Sequence, residues 1–231
     1  MRVATIVAAL VLIVALASPP AARARKAAYT DSFQIERCTF ATRGRNPYFV
    51  LIPGHRLELE GRDGKKLVHL TIAVLDDTLT VDGVQTRVIE ERESEDGQLV
   101  EVSRNYFAFC AETGSVFYFG EDVDFYEDGV IANHDGSWRA GVDGARPGVI
   151  MPGINLVGAR YFQEVAPDIA LDRAETLSVT ETLTVPAGTF QNVLKTKETT
   201  ALEKGREFKF YAPDVGLIRD ADLELVDVVT P

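Results

Sequence analysis

The chain has 231 residues, 46% hydrophobic and 26% charged, so it can bury a core and is not globally disordered. Its net charge of −11 opposes nucleic-acid binding, which rests on Lys and Arg neutralising phosphates. Two cysteines cannot build a disulfide-dense scaffold, and the length fits a single all-β domain.

In chain order, the first element is an address rather than part of the fold. Arg2 precedes an apolar run from Val3 to Leu16, and small residues and prolines follow. This is the pattern of a secretory signal peptide over 1–24. Two A-x-A sites place cleavage after Ala24 or Ala17. The alternative, an uncleaved anchor, needs ~20 apolar residues, more than this run supplies. Cleavage after Ala24 removes Arg2 and Arg23 and no acid, leaving 22 Lys+Arg against 35 Asp+Glu, a mature charge of −13. The expected location is periplasmic or extracellular. In such a compartment Cys38 and Cys110 are expected to form one disulfide. Two buried free thiols are the alternative.

The mature chain, 25–231, reads as one β-domain with a period of two. In Leu67–Leu75, Val68, Leu70, Ile72 and Val74 share a face. Tyr106–Cys110 and Val116–Phe119 are apolar on both sides. Glu207–Tyr211 alternates, which predicts Phe208 and Phe210 inward. Six Asp-Gly pairs stand between such runs, at 63–64, 82–83, 96–97, 128–129, 135–136 and 143–144. Asp-Gly tolerates the positive φ of tight hairpins. A strand every ~8–12 residues gives roughly a dozen strands in an all-β sandwich or barrel, with few short helices. Residues 140–158 hold five glycines and two prolines, too many breakers for a strand interior, and are expected to form a packed loop.

The densest chemistry is Glu121–Gly129. Asp122, Asp124, Glu127 and Asp128 could supply hard oxygen ligands to Ca²⁺, although the EF-hand order fails. The bland reading is an acidic hairpin turning at Asp128–Gly129. His134–Asp135 could orient an imidazole for base work, and also reads as an ordinary turn. The three histidines are too scattered for a zinc site. No G-x-S-x-G elbow, H-E-x-x-H or Walker loop occurs. No cofactor is expected beyond the calcium candidate.

Three segments carry a resemblance. Tyr48–Leu59 runs Y-F-V-L-I-P-G-H-R-L-E-L, Thr184–Phe190 contains V-P-A-G-T-F, and Tyr211–Ile218 runs Y-A-P-D-V-G-L-I. Together they resemble the exported β-rich bacterial proteins of the DUF3108 and TapB-like kind, over about 48–219. Here Val50 replaces the usual Pro, Leu57 and Leu59 replace aromatics, and Asp214 replaces Gly. The resemblance implies a single, strongly bent antiparallel sheet, a barrel or half-barrel. No catalytic residue carries over from it.

The expectation is therefore an exported, non-enzymatic β-protein that binds a hydrophobic small molecule or an envelope protein. It binds no nucleic acid and has no transmembrane segment in the mature chain. Phe107, Phe109, Phe117, Phe119, Phe208 and Phe210 are the candidates for lining a cavity, against the alternative of a solid core. The other functional readings are a secreted hydrolase using His134, Asp135 and the 121–128 acids, and a Ca-binding interaction domain.

Overall fold

A computed structural model describes residues 28–231, so the signal peptide expected over 1–24 lies outside the described residues. The described chain holds eighteen strands and no α-helix, only a 3-10 turn at Ile35–Arg37. None of its helices could cross a membrane. An N-terminal strap carries β1 (Phe40–Ala41), β2 (Gly44–Asn46) and β3 (Phe49–Leu51). A meander follows: β4 (Arg56–Asp63), β5 (Lys66–Val81), β6 (Val84–Glu95), β7 (Gln98–Cys110) and β8 (Val116–Glu127). Short strands come next: β9 (Val130–Asn133), β10 (Trp138–Arg139), β11 (Arg146–Met151), β12 (Arg160–Phe162) and β13 (Glu164–Val165). A second meander ends the chain, with β14 (Asp172–Val185), β15 (Gly188–Thr200), β16 (Glu207–Ala212), β17 (Gly216–Asp220) and β18 (Leu223–Val229).

The main sheet runs β12-β14-β15-β16-β17-β18-β4-β5-β6-β7-β8-β11-β13, antiparallel throughout. Its two ends are consecutive pieces of one segment. Residues 160–162 bond to β14, and 164–165 bond to β11. Between them the Gln163 N–H donates to the Asp172 carbonyl at 2.7 Å. The bent sheet expected from the sequence is thus all but closed into a barrel.

Turn chemistry sets the meander. Both residues of Asp82–Gly83, Asp96–Gly97 and Asp128–Gly129 have positive φ (47° and 76°, 49° and 82°, 50° and 78°). Those are the two-residue connections whose twist matches that of the strands they join. Asp214, which stands where the resembled segment has Gly, also takes a φ of 61°.

Apolar runs on both faces of β7 and β8 are covered on both sides. The strap covers the outer face: Phe33 and Phe40 meet Phe117 edge-on at 6.0 and 5.5 Å, and Phe40 meets Phe119 at 5.3 Å. The Cys38–Cys110 disulfide forms and pins the strap where β1 pairs with the end of β7. Buried Arg87 adds a polar tie: its guanidinium donates to the carbonyls of Thr42 (2.8 Å) and Asp76 (2.6 Å).

Two sequence expectations need correction. Residues 140–158 are not one loop, because Arg146–Met151 forms β11 between β8 and β13. The breakers serve close approach: a Cβ on Gly148 would lie 2.3 Å from the Gln163 carbonyl oxygen. Phe208 and Phe210 do not face inward either. They lie on the outer face beneath cations, with Lys195 Nζ 4.9 and 5.2 Å from their ring centres. Lys209 and Tyr211 face inward instead.

The disulfide spans 72 residues, so its loss should cost about 4 kcal/mol in the chain-entropy model. C38S/C110S should therefore melt roughly 10 °C lower by calorimetry, and a shift under about 2 °C would contradict this. Strands from both sides of 140–158 share one sheet, so a fragment 25–141 would expose an unpaired edge and an apolar face. It should be insoluble, while the whole chain melts in one transition. A soluble fragment with dispersed amide resonances would show that the halves fold separately.

Candidate functional site

The barrel interior holds two neighbouring pockets, a lower and an upper part of its lumen. The lower part, about 110 Å³, has an apolar floor of Phe49, Val50, Leu57, Ile72, Val74 and Ile89. Buried His55 lies there, its Nε2 2.8 Å from the Val215 carbonyl. The upper part is larger, about 250 Å³, and acidic. Glu91, Phe107, Ile150 and Lys209 border both parts. Asp172, Glu198 and Lys209 continue to a mouth lined by residues 203–207.

Strand alternation explains the acid content. On β6 every second residue from Ile89 faces inward, which presents Glu91 and Glu93. On β7 the inward set is Glu101, Ser103, Asn105 and Phe107. On β8 a bulge brings Tyr118 and Glu121 to one face, with Phe107 opposite Tyr118 and Asn105 opposite Glu121. Gly120 makes the bulge, at a φ of 141°, where a Cβ would lie 2.4 Å from the Trp138 carbonyl oxygen. The seam adds Gln163 and Glu164, and Asp172 and Glu198 complete the wall.

Charge in the lumen is unbalanced. Lys209 Nζ lies 3.1 Å from Asp220 Oδ2 and 3.4 Å from Glu198 Oε2. Burial works against its ammonium, but those two carboxylates outweigh it and hold its pKa well above the ordinary lysine value. Among the described residues no Lys or Arg forms an ion pair with Glu91, Glu101, Glu121, Glu164 or Asp172. Burial pushes Glu91 and Glu121 up to about 7, and Glu164 well above the carboxylate range. Gln163 Oε1 is buried with no hydrogen-bond partner in the protein, while the Glu164 carboxyl interacts with Trp138 and Asp172.

The candidates named from sequence are dispersed. Phe107 lines both parts of the lumen, stacked on Tyr118 at 4.7 Å. Phe117 and Phe119 pack outside, under the strap, and Phe109 packs on the strap's Gly44. His134 pairs with Asp124, not Asp135, at 2.8 Å on the exposed face. Asp135 sits in an exposed turn. Asp122 accepts from Arg139 Nη2 (2.6 Å) and from the Tyr106 hydroxyl (2.7 Å). Burial opposes its charge, but those donors prevail and lower its pKa. Asp124 accepts from Arg104 (3.3 Å), while Glu127 and Asp128 stand exposed at the hairpin turn. The only three groups of metal-ligand type within 4.8 Å of one another, among the described residues, are Cys38, Cys110 and Glu112, and both thiols are spent on the disulfide.

Of the lumen acids sequence reasoning singled out Glu121 alone, among the 121–128 acids. Glu91 left no trace beyond the spacing of two in Glu91, Glu93 and Glu95, one more feature among 35 acids.

No family model matches the chain, and no curated protein does. Two solved structures are similar. One is a proposed lipoprotein from Parabacteroides distasonis ATCC 8503, with 17% identity over 77% of this chain and 96% of that one, at a TM-score of 0.38. The other is a protein from Bacteroides fragilis NCTC 9343, described as exported and of YmcC-like fold, with 17% identity over 78% and 97%, at 0.37. At those scores the likeness carries no argument about function.

The lumen predicts a pH response. With pKa values near 7, Glu91 and Glu121 hold protons in the folded state that the unfolded chain has already released, so stability falls as pH rises through that window. His55 acts in the opposite direction: burial lowers its pKa, so acidification favours the unfolded chain. That contribution is largely complete above about pH 7, near the ordinary histidine value. Between pH 6.5 and 8 Glu91 and Glu121 should lower the melting temperature by roughly 3–6 °C, and Glu164, held well above the carboxylate range, adds to the same slope. E91Q/E121Q should therefore lessen the slope without abolishing it; an equal slope in the variant would refute the assignment.

Proposed function

We propose that the protein is an exported, non-catalytic binding barrel that holds a small molecule with an apolar part in its lumen. One observation carries this reading: the nearly closed sheet leaves adjoining pockets in its interior, apolar at the floor and polar toward a mouth at 203–207. Small-molecule sites favour that combination of apolar walls and a few placed polar groups. Export rests on Arg2, the apolar run and the A-x-A sites, with the mature chain starting at Arg25 or Ser18. The Cys38–Cys110 bridge suits an oxidising compartment. Kinship with the DUF3108 and TapB-like proteins rests on the three quoted segments.

An envelope partner is a second reading, favoured by Ile154, Leu156 and Val157, which are 76%, 66% and 65% exposed on one loop. The hydrolase reading has less support. Among the described residues His134 meets Asp124 and the Val123 carbonyl, and no hydroxyl or thiol hydrogen-bonds to it. Calcium at Asp122 and Asp124 would compete with Arg139 and Arg104.

The test uses n-octanol as a neutral probe and I150W as a filling variant, since Ile150 borders both parts of the lumen. Calorimetric titration should show octanol binding to the wild-type protein and at least about tenfold weaker binding to I150W, for a loss of over 1.4 kcal/mol. No binding, or equal binding to both, would overturn the reading.

A further inference from the structure

The upper chamber is built to receive positive charge. Five carboxyl side chains, Glu91, Glu101, Glu121, Glu164 and Asp172, border it without an ion-pair partner among the described residues. The single resident cation, Lys209, is already engaged by Glu198 and Asp220. An independent observation points the same way. Gln163 is 4% exposed and borders the chamber, and its buried Oε1 accepts nothing from the protein. A buried acceptor left without a donor is costly, so this oxygen calls for a donor from a ligand. Gln163 sits at the barrel seam, its backbone held between the pairing of β12 with β14 and of β13 with β11. Glu164 beside it shares its carboxyl with Trp138 and Asp172.

The alternatives fit less well. An anionic head would meet an excess of carboxylates, and like charges at close range are repulsive. A bare divalent ion needs several oxygens at 2.0–2.6 Å, hence a tight cluster. Among the described residues the chamber acids form no such cluster; they surround about 250 Å³ of space. An organic ammonium matches that volume, presents several N–H donors and carries the missing charge. The floor below it, lined by Leu57, Ile72 and Val74, accepts an alkyl chain.

Resting on the lumen-binding reading above, we infer that the barrel binds an amphiphilic organic ammonium, with its head among the Glu121, Glu164 and Gln163 side chains and its tail on the apolar floor. The ligand class is thus a primary amine on a short hydrocarbon chain.

Three probes of one chain length test this: n-octylamine, n-octanol and n-octanoate. Titrations at pH 8 place Glu91 and Glu121 above their pKa of about 7. The expected order is octylamine tightest, octanol weaker and octanoate weakest, with about tenfold or more between the first and second, as charge-assisted hydrogen bonds allow. E121Q/E164Q should bring octylamine down to the level of octanol, and a single cooperative melting transition of the variant shows that it is folded. If octanol binds as well as octylamine, or octanoate binds better, the ammonium assignment falls while lumen binding stands. If none of the three binds, lumen binding itself falls. An octylamine affinity unaltered in E121Q/E164Q would overturn the placement of the head.

Discussion

The structure depends on the closure of its sheet by one six-residue segment, Arg160–Val165. An antiparallel sheet of this length has two edges, and each edge carries unpaired N–H and C=O groups. Here β12 satisfies one edge by pairing with β14, and β13 satisfies the other by pairing with β11. A single residue, Gln163, makes the step between them. The N-terminal strap backs the same segment, since Thr30 exchanges hydrogen bonds with Arg160 and Phe162 at 2.9 and 2.8 Å. Closure turns one face of every strand toward a common interior. The chemistry of that interior is then the sum of alternate residues from all the walls.

That sum is unusual in its charge. Taking carboxylates out of water raises their pKa, and Glu91, Glu121 and Glu164 show it. A fold that accepts such a cost needs compensation elsewhere. The outer shell provides it. Aromatic contacts of Phe33 and Phe40 with Phe117 and Phe119 and the strap disulfide lie outside the lumen, and Arg87, opposite Phe107 in the sheet, ties the strap's Thr42 to β5 through its carbonyls. Stability is thus concentrated between strap and barrel wall, and the interior is left polar. Functional sites commonly hold groups that cost stability in this way.

Much of the fold was legible because turns and alternation are local. Three Asp-Gly pairs, at 82–83, 96–97 and 128–129, fix hairpins from two residues each, and Cys38 and Cys110 form the bridge read from their number and setting. Val185-Pro186-Ala187-Gly188 is the β14–β15 turn, as its proline and glycine require. What failed were readings that needed to know which face is inside. Alternation in Glu207–Tyr211 is real, but the apolar face was taken as inward because interiors are usually apolar. In a barrel whose lumen is polar the rule inverts, and Lys209 and Tyr211 face the interior. The bulge at Gly120 was equally hidden, because its cause is the distant Trp138 carbonyl. β11 was missed for the same reason: Gly148 answers to Gln163, a contact that local sequence does not display.

The legible and the illegible parts meet in β6. Its inward residues are Ile89, Glu91 and Glu93, placed opposite Val74, Ile72 and Leu70 of β5. A slip of one residue would turn Glu90 and Arg92 inward instead and put Glu91 outside, because side chains alternate with a period of two. A guanidinium in place of Glu91 would cut into the charge imbalance on which cation binding rests. The register is set by the tight two-residue turns at the two ends of the strand, Asp82–Gly83 and Asp96–Gly97, together with the bulges that lie between each turn and Glu91, at 75–77 of β5 and at Val100 of β7. The dipeptides that made the fold readable therefore also help decide which acids reach the lumen, although nothing in the dipeptides themselves bears on charge.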